Sequence, residues 1–153
     1  MQAALTLLEA LCLQGLKQLV LCPGSRSGPL ANAADVLASQ AKLQLVTAID
    51  ERSAAFLALG MATAHGRAVA VVTTSGTAVA NLLPAAVEAD RSCQPLLLLT
   101  ADRPARLKNC GANQTVNQES FLLSACRWFA SGAADGVHTQ ANNALNALAV
   151  QAW

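Results

Sequence analysis

The sequence is short of charged residues. Only 12% of its 153 residues are charged, whereas 54% are hydrophobic, and both values are unusual for a freely soluble monomer. The formal net charge of +1 creates no long-range field that would favour nucleic acid or an acidic membrane. The composition therefore predicts a surface that contacts other protein, either a second domain or a second subunit, and no nucleic-acid partner.

The sequence also lacks the patterns of several other protein classes. Apolar stretches such as Leu96–Leu99 are far shorter than the ~20 residues of a membrane span, and Met1-Gln2-Ala3 has no basic signal-peptide region. The five cysteines form no CxxC or Cys/His pair that would bind zinc; most are expected to be buried, in a reducing cytoplasm. Without a GxGxxG motif, a nucleotide-binding Rossmann-like domain is a poor alternative. We predict no metal ligands in this chain.

Strand-like and helix-like segments alternate along the chain. Five short apolar segments are predicted to be strands: Gln18–Cys22, Gln44–Ile49, Ala68–Thr73, Pro95–Ala101 and Arg127–Ser131. Apolar strands separated by amphipathic helices are typical of doubly wound sheets with helices on both faces. We therefore predict a single α/β domain over residues 1–153, with a mainly parallel sheet of five or six strands. The closing helix, near Thr139–Trp153, would normally lead to another strand, so we expect a fragment of a longer protein.

A polar or charged turn follows each of the first four predicted strands. In a parallel sheet these turns meet at one edge, where open α/β folds bind ligands. The turns contain these residues: Ser25 and Arg26, Asp50 and Glu51, Ser75 to Thr77, and Asp102 and Arg103.

Asp50 and Glu51 are two of only nine acidic residues and allow two interpretations. In a structural interpretation, Asp50 caps a helix and Glu51 favours its positive amino end. In a functional interpretation, Glu51 projects into a largely apolar cleft and shares a proton with a ligand nitrogen.

The other turns are also open to two interpretations. The turn Pro23–Pro29 is either an ordinary connection or an anion site that uses Arg26 and the start of a helix. The small residues of Ser75–Asn81 either pack a capped helix or allow close approach of a ring or anion. Two arginines at one edge, Arg26 and Arg103, indicate an anionic ligand such as a carboxylate. The amide-rich loop Gly111–Thr115 is a weak signal alone.

Five segments together resemble one enzyme family in their order and spacing. They are Pro23–Pro29, Asp50–Ser53, Thr74–Asn81, Thr100–Pro104 and Gly111–Thr115. They resemble the N-terminal pyrimidine-binding domain of the 2-succinyl-5-enolpyruvyl-6-hydroxy-3-cyclohexene-1-carboxylate synthases, which are thiamine-diphosphate enzymes of menaquinone and phylloquinone biosynthesis.

The resemblance implies a transferase that decarboxylates 2-oxoglutarate and adds the succinyl-semialdehyde unit to isochorismate. It implies that Glu51 is catalytic and bonds N1′ of the cofactor's aminopyrimidine. The implied cofactor-binding residues are Glu51, Ser75, Gly76, Thr77 and Asn81. The implied substrate-binding residues are Ser25, Arg26, Arg103, Asn113 and Gln114.

The chain departs from the family pattern at two points. Gly28 stands where the family usually has Thr, and the Gly-Asp-Gly motif for magnesium and diphosphate is absent. The resemblance implies that Mg²⁺ and the diphosphate bind a later C-terminal domain, with the cofactor between two subunits of a cytoplasmic homodimer or homotetramer. We thus expect this chain alone to be inactive. The alternative is a non-catalytic α/β assembly module, which would not need Arg26 and Arg103 beside Glu51.

Overall fold

A parallel sheet of four short strands forms the centre of the molecule. The computed structural model describes all 153 residues, and its strand order is β2-β1-β3-β4. The strands are β1 (Gln18–Leu21), β2 (Gln44–Thr47), β3 (Val69–Thr73) and β4 (Leu96–Thr100). The helices are α1 (Gln2–Gln14), α2 (Gly28–Ser39), α3 (Glu51–His65), α4 (Thr77–Ala80), α5 (Leu83–Arg91), α6 (Glu119–Leu122) and α7 (Asn142–Ala152). Two 3₁₀ turns occupy Ala105–Leu107 and Val137–Thr139.

Helices cover both faces of this sheet, as predicted. On one face, α1, α2 and α7 pack against Leu19, Leu21 and Val72. On the other, α3 and α5 pack against Val20 and Val71. Because alternate residues of β1 and β3 point to opposite cores, both strands are buried along their whole length. The edge strands β2 and β4 are only partly buried.

Local sequence signals set several of the helix boundaries. Pro29 lies in the first turn of α2, where its missing N–H costs no hydrogen bond. Gly66 ends α3 in a left-handed conformation with φ 62°. Pro84 starts a new helix, so the segment after β3 divides into α4 and α5.

The predicted count of five or six strands is wrong, because the sheet has four. The predicted strand Arg127–Ser131 is irregular and pairs with no other strand. Its side chains Trp128 and Phe129 are 43% and 48% exposed, so the apolar run that suggested a buried strand lies at the surface. This segment instead lines one side of a groove beside β4.

The expected burial of most cysteines is also wrong. All five are free thiols, and only Cys22 is buried; Cys93 and Cys110 are exposed. None of the helices combines the length and apolar character that a membrane crossing requires.

Candidate functional site

The carboxyl ends of the four strands lie level with one another. Leu21 pairs with Thr47, and Thr73 pairs with Thr100, so the four following turns meet at one edge, as predicted. The first and third turns are in direct contact, because a Cβ atom on Gly24 would lie 2.4 Å from Cβ of Thr74. Only glycine fits at this position without a shift of one turn.

Asp50 and Glu51 have separate partners at the start of α3. The Asp50 carboxylate accepts a hydrogen bond from the Ser53 backbone N–H at 2.8 Å, and this bond lowers the pKa of Asp50. Asp50 is therefore the helix cap that the structural interpretation predicted. Oε2 of Glu51, in contrast, accepts a hydrogen bond from Nδ2 of Asn81 at 3.1 Å. The two residues meet across the sheet edge, since Glu51 follows β2 and Asn81 follows β3.

The turn before α4 has a backbone conformation with positive φ, which favours glycine. Gly76 has φ 85°, and a Cβ atom there would lie 3.3 Å from Cβ of Gln114. Gln114 itself has φ 55°, which costs about 1 kcal/mol or more for a residue with a side chain. The amide-rich loop is thus held against this turn in a strained conformation, and such strain is common at functional sites.

Three hydroxyl groups beside this turn are buried without a hydrogen-bond partner. They belong to Thr73, Thr74 and Ser75, which are 0%, 8% and 0% exposed. Buried polar groups are normally paired, so three consecutive unpaired hydroxyls at the end of β3 are an exception in this fold. Thr77 is exposed at the start of α4.

The two predicted arginines line the same groove. This groove runs along β4, has a volume of about 1540 Å³, and is also lined by Ser25. Arg26 and Arg103 are half-buried, and their Nε atoms are shielded from solvent without a hydrogen-bond partner. Two such guanidinium groups favour an anionic ligand.

The structure does not bring every predicted residue into this groove. Ser25, Arg26 and Arg103 line it, whereas Asn113 and Gln114 are exposed outside it. Glu51 and Asn81 also lie outside its walls. The predicted residues therefore fall into two groups, which we call the cofactor side (around Glu51 and Gly76) and the substrate side (around the arginines) after the roles expected from the sequence.

Gln118 joins these two sides and was not predicted. Its Oε1 accepts a hydrogen bond from the Gly76 backbone N–H at 2.8 Å, and its Nε2 donates to the Ala101 carbonyl at 2.8 Å. The side chain is 4% exposed. No local pattern marks it, since it lies in an irregular stretch and its partners are 42 and 17 residues away.

A charged cluster fixes the loop that carries Arg103. The ammonium group of Lys108 lies 2.9 Å from Oδ2 of Asp102 and also pairs with Glu119. Partial burial lowers the pKa of Lys108, but the hydrogen bonds and charges of Glu119 and Asp102 outweigh it, and the net pKa is raised. The hydrogen bond from Lys108 lowers the pKa of Glu119. The chain contains no group of three His, Cys, Asp or Glu side chains that could hold a metal ion.

Cys22 lies directly after β1, close to the carboxylates of this edge. Burial raises its pKa to about 11, and the negative charges of Glu51 and Asp50 add to this effect. The neutral thiol is therefore the stable form, and Cys22 behaves as a small apolar residue of the core on the α3 side.

Comparison with known proteins identifies the family of this chain. Residues 1–121 match the family described as thiamine pyrophosphate enzyme, N-terminal TPP binding domain. The chain is 94% identical, over all 153 residues, to the 2-succinyl-5-enolpyruvyl-6-hydroxy-3-cyclohexene-1-carboxylate synthase of Synechococcus sp. (strain CC9605), of which it covers 27%. It is 77% identical over 136 residues to the synthase of Parasynechococcus marenigrum (strain WH8102), covering 89% of this chain and 25% of that relative. The chain thus spans about a quarter of these relatives, and it belongs to the family of N-terminal TPP-binding domains of thiamine pyrophosphate enzymes.

Proposed function

We propose that this chain is the pyrimidine-binding and substrate-binding part of a thiamine-diphosphate carboligase. The whole enzyme would decarboxylate 2-oxoglutarate and add the succinyl-semialdehyde unit to isochorismate. The observation that carries the proposal is the hydrogen bond between Glu51 and Asn81 at the ligand edge. The similarity to synthases of this name supports the choice of substrates.

The residues of the cofactor side fit an aminopyrimidine ring. Glu51 offers a carboxylate acceptor whose Oε2 is held by Asn81, and Gly76 lets the loop of Gln114 pack closely against this turn. The unpaired hydroxyl of Ser75 and the backbone at Thr77 can serve the polar atoms of the ring. Thiamine diphosphate, when bound, would supply the electron sink for 2-oxo acid decarboxylation, and Glu51 would hold the proton at the ring nitrogen.

The residues of the substrate side suit dicarboxylate substrates. Arg26 and Arg103 would each bind a carboxylate through the planar guanidinium fork. Ser25 lines the same groove and can donate a hydrogen bond. We also assign Asn113 and Gln114 to substrate binding, at the point where their loop meets the cofactor side, because Gln114 packs on Gly76.

The proposal includes partners beyond these 153 residues. The C-terminal part of the same protein would bind Mg²⁺ and the diphosphate, and a second subunit would complete each site in a cytoplasmic homodimer or homotetramer. Exposed apolar side chains beside Glu51 support such a covering partner; Ile49 is 88% exposed and Leu57 44% exposed.

A substitution of Glu51 in the full-length enzyme tests the catalytic assignment. Glu51→Gln keeps the size of the side chain but removes the proton-accepting carboxylate. We expect turnover of 2-oxoglutarate to fall by about 10² to 10⁴, the usual contribution of a general acid–base group. Steady-state kinetics and circular dichroism would measure activity and folding.

Glu88→Gln is the matched control. Glu88 is exposed on α5, away from the ligand edge, so its variant should keep wild-type turnover. A folded Glu51→Gln enzyme with near-normal turnover would remove Glu51 from its catalytic role.

A further inference from the structure

We propose that Gln118 is a positioning residue that holds the cofactor side and the substrate side of the site at a fixed separation. This inference rests on the proposed function. Gln118 bonds the turn that starts α4, through Gly76, and the residue that follows β4, Ala101. It therefore links two turns that are otherwise positioned only by the strands that precede them, β3 and β4.

The oxygen and the nitrogen of the Gln118 amide each bond a different turn. Oε1 accepts a hydrogen bond from the backbone N–H of Gly76, the positive-φ residue that precedes α4 on the cofactor side. Nε2 fixes the carbonyl of Ala101, two residues before Arg103. Because the side chain is 4% exposed, water cannot readily replace either bond, and loss of one leaves a buried group unpaired.

The position of Gln118 is itself fixed on both sides. Its backbone N–H donates to the Val116 carbonyl at 2.8 Å, and the next residue, Glu119, is held by Lys108. Since Lys108 also binds Asp102, the segment around Gln118 is tied twice to the loop of Arg103. The Gln118 side chain is thus held in one position, unlike the amide of an exposed glutamine.

The Kd for thiamine diphosphate reports the bond to Gly76, and the KM for 2-oxoglutarate reports the bond to Ala101. In the full-length enzyme, Gln118→Met removes both hydrogen bonds at nearly constant volume. We expect the Kd for thiamine diphosphate and the KM for 2-oxoglutarate each to rise by about tenfold, since a lost bond to a buried group typically has an effect of this order. Isothermal titration calorimetry would measure the Kd without turnover.

Gln118→Glu separates the two bonds and covers the case in which the methionine variant does not fold. When ionised, the introduced carboxyl group keeps the acceptor for Gly76 but has no donor for Ala101; when protonated, it can make both bonds. We expect a cofactor Kd close to wild type and a KM for 2-oxoglutarate that rises above wild type once the introduced carboxyl group is ionised. A KM equal to the wild-type value with that group ionised would overturn the proposal.

Gln18→Met is the matched control. Gln18 is also buried, at 8% exposure, and its Nε2 donates to Oε1 of Gln44 at 2.9 Å, but it lies at the opposite, amino end of the sheet. Its variant should lose stability without a change in either constant. If Gln118→Met changes Kd and KM no more than Gln18→Met does, Gln118 is only structural and the inference fails. The proposed function is tested separately, because it depends on the loss of turnover in Glu51→Gln. An unmodified full-length enzyme that binds no thiamine diphosphate would overturn both.

Discussion

Asp50 and Glu51 are sequence neighbours whose carboxylates have different tasks. Asp50 bonds the backbone of Ser53 and so stabilises the start of α3. This leaves Glu51 free of capping, and its carboxylate reaches Asn81 on the neighbouring turn. The structural interpretation therefore holds for Asp50, and the cap fixes the backbone from which Glu51 extends.

Cys22 should be far less reactive in the folded protein than an ordinary cysteine. With its pKa raised to about 11, only about one thiol in a thousand is ionised at pH 8, against roughly a quarter at the usual pKa of ~8.5. We expect alkylation of Cys22 by iodoacetamide at pH 8 to be at least ~100-fold slower in the native full-length protein than in urea. Peptide mass spectrometry would follow Cys22 by itself. Equal rates in the two states would show that the thiol is neither buried nor held neutral.

At the scale of elements, helix boundaries agree with sequence signals because they depend mainly on neighbouring residues. Both ends of α3 agree with the local preferences of Asp50 and Gly66, and Pro84 lies in the first turn of α5. The segment Arg127–Ser131 was wrongly predicted as a strand because a short apolar run has the same pattern whether it pairs with a strand or lies along a groove. Gln118 could not be predicted, because its importance depends on two backbone groups that only the folded chain brings together.

The contact between the first and third turns should be sensitive to a single methyl group. Gly24→Ala places Cβ 2.4 Å from Thr74, so the two turns must separate, and overpacking of this kind costs about 1–3 kcal/mol. We expect a lower free energy of unfolding and a higher KM for 2-oxoglutarate, because Arg26 lies two residues further on. Urea titration and steady-state kinetics of the full-length enzyme would measure the two effects.

Gly28→Ala provides the control for this element. Gly28 starts α2, and a Cβ atom there would meet nothing within 4 Å. Alanine should be neutral or slightly stabilising at this position, since it is the better helix former. A Gly24→Ala enzyme that matches Gly28→Ala in stability and KM would contradict the close contact between the turns.

At the scale of the whole molecule, the candidate site is open on two sides. The groove beside β4 is about 1540 Å³, more than the ~300–1,000 Å³ of an ordinary ligand pocket. In α3 and just before it, Ile49, Phe56 and Leu57 are exposed at 88%, 42% and 44%. Large exposed apolar areas next to polar ligand residues are typical of surfaces that other protein covers. This agrees with the low charge content of the sequence.

The isolated chain of 153 residues should therefore have no synthase turnover. Glu51 would remain in contact with water, where hydrogen bonds to a ligand are weaker than in a closed site, and no covering surface would hold the cofactor. We expect no 2-oxoglutarate decarboxylation above background, and a cofactor affinity at least ~100-fold below that of the full-length enzyme, the equivalent of about 2.7 kcal/mol of binding free energy. Full-length enzyme in the same assay is the positive control, and circular dichroism shows that the isolated chain is folded. Measurable turnover by the folded chain would mean that these 153 residues already form a complete active site and need no covering partner.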